Sequence, residues 1–449
     1  MSKQRIQLSD HFTYSRLLRF VLPCIGTMLF TSIYGIVDGL CVSNFVGKTA
    51  FAAVNLIMPL PMLLGTIGFM LGTGGSAIVG ITLGEGDQKK ADRYFTLFLL
   101  AALVSVSVLA VLGIVFLRPI AVLLGAKGEL LDYAVRYGRI LMVSLPTFAL
   151  QNMFQSFFVT AEKPHLGFWF TVGAGCTNMV LDVLMVGVWG WGVEGAAIAT
   201  FISQLVGGVL PVFYFIDRSN SSRLHLCQTH FYGGVLRDAC INGSSELMTN
   251  LSMSLVNILY NYQLLRLAGE NGVAAYGVIM YAAFLFVAVF VGYAVGSAPI
   301  VSFHYGARNH AEVHNLYRKS LRLIAVVAVT LTLASMFIIP CVARVFVGYD
   351  AELLALTSRA FRLYALSFLI MGFNVYASSF FTALGDGVTS ALISFLRTLA
   401  FQVIAILLLP MLLGIDGIWL AVTAAELAAL AVSAAMLLTK DKVFHYRKV

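Results

Sequence analysis

The chain is 449 residues long, 59% apolar and 11% charged, with a mean hydropathy of +0.89. A soluble domain carries about a quarter charged residues, so this composition cannot build a water-facing surface. The net charge of +8 would also suit a nucleic-acid or anionic partner, but the placement of the basic residues gives a plainer reason for it.

Residues 20–37, 49–84, 94–117 and 140–161 contain no Asp, Glu, Lys or Arg. About 20 such residues cross the hydrocarbon core as a helix, because every backbone polar group must be satisfied inside the bilayer. Twelve spans are predicted, at 17–43, 50–83, 94–117, 129–159, 165–187, 193–216, 237–265, 272–305, 320–346, 352–383, 388–411 and 416–439. Lys3, Arg5, Arg16 and Arg19 before the first apolar run imitate a signal peptide. That run has full span length and no small-x-small cleavage site, so it is read as the first helix. Pro23 removes a backbone hydrogen bond there and is the hinge candidate. The second span, with GTIGFMLGTGGSAIVG at 65–80, holds small residues that favour close helix packing. The polar stretch 217–233 reads as a cytoplasmic linker between an N-lobe, 1–216, and a C-lobe, 234–449. Cys24, Cys41, Cys176, Cys227, Cys240 and Cys341 lack the close pairing of metal or redox sites and read as small apolar residues.

Counting spans from an inside start places nineteen basic residues on the cytoplasmic side and nine on the other, with Arg397 left over. Both termini are therefore expected in the cytoplasm.

The two halves align. A shift of 222 residues lays VGKTAFAAVNLIM (46–58) on AGENGVAAYGVIM (268–280), and Gly47/Gly269, Gly74/Gly296, Ile78/Ile300, Val79/Val301 and Gly84/Gly306 are identical in that frame. It also lays GVEG (192–195) on GIDG (414–417). A shift of 223 pairs RYGR (136–139) with RAFR (359–362), and SFF (156–158) with SFF (379–381). Composition bias does not repeat Gly and Arg in one frame, so the chain is read as duplicated. Each half has an even number of spans, which makes the halves parallel repeats about an axis along the membrane normal. The expected fold is all-α, with two pseudo-symmetric six-helix bundles around a central cavity.

A charge at the centre of a span costs about 2.5–3.5 kcal/mol on insertion scales, so each needs a reason. Those present are Asp38, Asp182, Glu246, Arg397 and Glu426. Tyr34 and Asp38 share one face of the first span, and Asn178 and Asp182 repeat that spacing on the fifth. With Thr200 on the sixth span they lie at similar depth in the outer half of the N-lobe. Carboxylates with neutral oxygens suit a small cation such as Na⁺, held by Asp38, Asn178, Asp182 and Thr200. Two close, desolvated carboxylates equally suit a proton. Shifted by 222, Tyr34, Asp38, Asn178, Asp182 and Thr200 fall on Val256, Tyr260, Ala400, Ile404 and Val422, so the constellation exists in one half only. The competing reading is that these groups only join helices by hydrogen bonds. Glu246 and Glu426 are candidates for a substrate or second coupling site, with helix packing as the alternative. Arg397 is explained as well by snorkelling to the interface as by function.

The run SIYGIVDGLCVSNFVG (32–47), the NxxxD of TNMVLDVLMVG and GVEGAAIAT (192–200) resemble the multidrug and toxic compound extrusion (MATE) transporters. GYAVGSAPIVSFHYGARN (292–309) and FFTALGDGVTSALISFLRT (380–398) are similar to the family's bacterial small-drug exporters. The resemblance implies a V of two lobes in a bacterial inner membrane, exporting organic compounds in exchange for Na⁺ or H⁺. It places the family's cation site on Tyr34, Asp38, Asn178, Asp182 and Thr200, with Asn152 nearby. No cofactor, enzyme activity or nucleic-acid partner is expected, and the protein is expected to act as a monomer. A lipid-linked oligosaccharide flippase of the same superfamily is the alternative; few mid-span bases speak against it. The departure from the family lies in the second lobe, where Glu246 cannot be equated with the acidic residues some branches use.

Overall fold

The computed structural model describes residues 6–46, 48–348 and 350–446, and the side chains of all of these except 36, 38–45, 48, 51, 339, 340, 342, 345 and 346. The Asp38 side chain, Cys41 and Gly47 therefore lie outside the described residues. The N-lobe contains α1 (Tyr14–Phe45), α2 (Lys48–Ile57), α3 (Pro59–Gly84), α4 (Gln88–Leu123), α5 (Glu129–Thr160), α6 (Pro164–Asp182), α7 (Gly192–Gln204) and α8 (Leu210–Ile216). The C-lobe contains α9 (Gly233–Gly306), α10 (His310–Val347), α11 (Ala351–Ala365), α12 (Phe368–Ala383), α13 (Gly387–Phe395), α14 (Phe401–Leu413), α15 (Ile415–Thr439) and α16 (Asp441–Phe444). Short π-helical turns at Val183–Val188, Leu205–Val209 and Leu396–Ala400 join α6 to α7, α7 to α8 and α13 to α14. No strand occurs among the described residues.

Nine described helices are long and apolar enough to cross a membrane. The 74-residue α9 among them is two helices meeting at Gly269, whose φ of 60° and ψ of −150° suit a residue without a Cβ. The predicted tenth span is broken, with α11 and α12 bent by 46°. Counting α9 as two, the bent pair as one and adding the 32-residue α5 gives the twelve spans in two bundles.

The first and last described segments lie on one face. His314 Nδ1 meets the Tyr446 carbonyl at 2.9 Å, and the Leu8 N–H donates to Glu162 at 2.9 Å. On this terminal face, four helix hairpins close with the same turn. A left-handed residue follows each helix (Gly86, Glu162, Arg308, Gly385), and the next N–H bonds back to the carbonyl five residues earlier. Asp87, Asn309 and Asp386 then cap the following helix through their side chains. The linker is not a free tether. Its His225 and Cys227 N–H groups donate to Asp92 and Thr96 of α4, both at 3.1 Å.

The lobes meet in a seam of small residues in the half nearest this face. A Cβ on Gly74 would strike Ala239 and Gly243 of α9; one on Gly84 would strike Phe303, and one on Gly306 would strike Ile81. Gly292 and Gly296 likewise press on residues 21–25 of α1. The glycines of the second span thus act in packing. Pro23 sits in this same stretch, and α1 continues through it, with Thr27 Oγ1 donating to the Pro23 carbonyl at 2.9 Å.

Candidate functional site

Helix heights set which groups can meet. A Cβ on Gly26 of α1 would lie 3.0 Å from Phe168 of α6, and one on Gly175 would lie 3.1 Å from the Tyr34 ring. α1 and α6 therefore run parallel and in step. At about 1.5 Å per residue, Asp38 rises about 6 Å beyond Tyr34, while Asn178 and Asp182 rise about 4.5 and 10.5 Å beyond Gly175. The backbone of Asp38 thus stands at a height between those of Asn178 and Asp182. α7 runs antiparallel to α6, with a Cβ on Gly195 lying 3.2 Å from Met185 and one on Gly173 3.9 Å from Val206. That register puts Thr200 at the same height.

Asp182 is fully buried and Asn178 is 2% exposed. The Asn178 amide nitrogen has no hydrogen-bond partner among the described residues. A half-turn of that amide exchanges its oxygen and nitrogen, so it can offer either atom to what enters. Thr200 Oγ1 donates to the Ala196 carbonyl at 3.0 Å, which leaves its lone pairs free to coordinate. Tyr34, partly buried, packs on Gly175. Asn152 is buried, again with its amide nitrogen unpartnered among the described residues. Phe158 abuts Gly167 across the α5–α6 turn, which places Asn152 about 7.5 Å inward of Asn178. The described oxygen donors at this height, from Asn178, Asp182 and Thr200, suit a Na⁺ ion, and the buried Asp182 carboxylate suits a proton. Gln204, buried with its Oε1 unpartnered among the described residues, was not singled out from the sequence; a lone polar residue in an apolar helix was its only signal.

The π-helical turn Val183–Val188 begins directly after Asp182. Such turns carry one extra residue and recur at functional sites. In the C-lobe the corresponding turn, Leu396–Ala400, comes earlier along the span. The hairpin turns before these spans pair Glu162 with Gly385, a shift of 223, and between the two insertions the repeat frame slips to 224. The burial agrees: Asp182 and Ile406 are both 0% exposed, whereas Ile404 is 53% exposed. The counterpart of Asp182 is thus Ile406, not Ile404, and it still carries no carboxylate. At the counterpart of Asp38, Tyr260 is buried and stacks on Tyr276 at 4.9 Å, so rings fill the space in that lobe.

Arg397 does not snorkel. Its side chain is 12% exposed, and NH1 lies 3.3 Å from Oε1 of the fully buried Glu426. Asn374 Nδ2 donates to Glu426 Oε2 at 2.7 Å, and Ser433 Oγ donates to Asn374 Oδ1 at 2.9 Å. Glu426 is thereby engaged inside the C-lobe. Glu246 is partly exposed and within electrostatic reach of the same guanidinium. Asn374 and Ser433 went unnoticed in the sequence because neutral polar residues are common in helix interfaces. Of the cysteines, Cys24 is buried, whereas Cys176 and Cys341 are exposed on their helices.

The multidrug export protein MepA of Staphylococcus saprophyticus is 21% identical over 436 residues, covering 96% of this chain and 95% of the relative. MepA of Staphylococcus aureus strain MSSA476 is 22% identical over 433 residues, with coverage of 96% and 95%. A solved MATE structure in complex with MaL6 superposes with a TM-score of 0.92 at 22% identity, covering 99% of this chain and 100% of the other. An outward-facing multidrug resistance MATE transporter of the MOP superfamily gives 0.92 at 22% identity and 99% of both chains. These superpositions bear out the twelve-helix, two-lobe fold. The MatE family model matches twice, at residues 23–184 and again at 247–408. With most of its length matched once in each half, the chain belongs to the MatE family of membrane transporters and is not an enzyme.

Proposed function

We propose that this protein is a secondary antiporter that exports amphipathic or cationic organic compounds in exchange for H⁺ or Na⁺. The coupling ion binds in the N-lobe at Asp38, Asn178, Asp182 and Thr200, with Tyr34 and Asn152 lining its approach. The observation that carries this reading is a fully buried carboxylate, Asp182, on a membrane span and absent from the repeated position. Such a group is retained for function rather than packing. The relatives named as multidrug exporters support the substrate class, and the oxygen-only donor set supports a hard cation or a proton. Ion binding must favour one orientation of the lobes, because a ligand shifts an equilibrium only by its differential affinity. Closure of the seam near the termini represents one of those orientations. The basic-residue count assigns the terminal face to the cytoplasm, in a bacterial inner membrane. Glu246, more accessible than the fully buried Glu426, is the candidate for contact with a cationic substrate.

The test is efflux of ethidium from proteoliposomes with the Na⁺ and H⁺ gradients imposed separately. One gradient alone should drive uphill transport; transport that proceeds equally with neither gradient would refute ion coupling.

A further inference from the structure

Leu8 and Phe12 precede the first helix, yet both are fully buried. Each presents its backbone N–H to a glutamate. Leu8 N donates to Glu162 Oε1 at 2.9 Å, and Phe12 N donates to Glu312 Oε1 at 2.8 Å. Glu162 belongs to the turn between α5 and α6 in the N-lobe; Glu312 belongs to the first turn of α10 in the C-lobe. On the C-lobe side His11 Nδ1 lies 2.6 Å from Glu312 Oε2, and Asn315 Nδ2 and Lys319 Nζ donate to the Phe12 carbonyl at 3.1 and 2.6 Å. On the N-lobe side Arg223 NH1 reaches Glu162 Oε1 at 2.7 Å, and its guanidinium covers the C-lobe ring of Phe303 at 4.8 Å. Phe12 meets His304, next to Phe303, edge-on at 6.4 Å. Phe303 is where Gly84 closes the seam. Residues 6–13 are therefore a strap across the end of the seam, tied to both lobes by charge-assisted hydrogen bonds.

The backbone at Glu162 is the telling feature. Its φ is 62°, while the corresponding turn in the other half uses Gly385, with φ 82°. The two turns share their bonding: Lys163 N to Phe158 O at 2.8 Å, and Asp386 N to Phe381 O at 2.9 Å. Glycine serves such a left-handed position without strain, and a residue with a Cβ is disfavoured there. A glutamate kept against that preference is explained by what its carboxylate holds, namely the strap and Arg223.

We propose that residues 6–13 form a latch that keeps the lobes closed at the terminal face, with Glu162 and Glu312 as its two catches. For that face to open, at least one catch must release. The part this plays in a transport cycle rests on the function proposed above; the closure itself rests only on the contacts.

Cys24 provides a native reporter. It is 4% exposed, and a Cβ on Gly296 across the seam would lie 3.2 Å from its Sγ. The full-length protein would be compared with Glu162→Gly and Glu312→Gln, each also carrying Ser144→Cys as a buried reporter inside the N-lobe. Labelling by N-ethylmaleimide would be read peptide by peptide by mass spectrometry. Loss of one charged hydrogen bond is expected to speed labelling of Cys24 about tenfold, with the thiol at position 144 unaffected. Labelling of Cys24 at the parent rate in both variants would overturn the latch, and so would equal acceleration at both thiols. The measurement needs neither substrate nor gradient, so a failure of transport would count against the antiporter and leave this result standing.

Discussion

Arg136 and Glu194 form an ion pair at 3.7 Å, and the second half repeats it as Arg359 with Asp416. The repeated sequence motifs RYGR/RAFR and GVEG/GIDG are therefore each other's partners, once per lobe. Likewise, Gly74/Gly296 and Gly84/Gly306 are the residues that press the lobes together. What the halves share builds the scaffold. The buried acid Asp182 is unmatched, which is why function is assigned there.

The Arg136–Glu194 pair is about half exposed, at 58% and 47%. Exposed pairs contribute about 0–1 kcal/mol, so Glu194→Gln should shift the thermal midpoint little and leave ethidium efflux intact. A variant that folds normally but has lost efflux would move this pair from scaffold to mechanism.

The seam tolerates no added methyl. Gly243→Ala would drive a Cβ into the Met70 carbonyl and Gly306→Ala into that of Ile81; each should destabilise by about 1–3 kcal/mol. Gly277→Ala, with nothing within 4 Å, should be neutral or stabilise by up to about 1 kcal/mol. Thermal midpoints of the purified variants check the order, and equal midpoints would show that the seam is looser than its packing implies.

Removing one partner of the buried Arg397–Glu426 pair leaves an uncompensated charge. Arg397→Met and Glu426→Gln should each cost about 3–5 kcal/mol, and the double variant less than the sum of the two. Strictly additive losses in a double-mutant cycle would mean that the pair is not coupled.

Asp386 lies in the turn before α13, outside the spans. Burial raises its pKa, but Lys440 at 2.8 Å and Thr389 outweigh this and hold the carboxyl below its usual value. A depressed folded pKa gives stability that is present above the unfolded value, about 3.9, and is lost as pH falls through the folded one. Asp386→Asn should therefore flatten the acid limb of the thermal midpoint. An unchanged slope below about pH 4 would contradict the assignment.

The spans, the duplication and the seam glycines were legible because each leaves a long-range pattern of hydropathy or identity. Local backbone events were not. The π-helical turns next to Asp182 and at Arg397 shift the repeat frame by one residue, and no residue type signals such a turn. The bend between α11 and α12 is equally silent, since Leu366 and Ser367 are ordinary helix residues. The sequence leaves Arg397 equally open to an interfacial and a functional reading because its partner, Glu426, lies on another span, and such pairing is a tertiary fact. The strap escaped notice because residues 6–13 lack helical periodicity, and its catches, Glu162 and Glu312, are far apart in sequence.

The central claim is that the N-lobe carboxylates hold the coupling ion. The most direct measurement is gradient-driven ethidium efflux by Asp38→Asn and by Asp182→Asn, reconstituted at matched protein density with correct insertion verified. Both variants should bind and leak substrate only down its own gradient, with uphill efflux abolished. Uphill efflux at the parent rate in either variant would contradict the account.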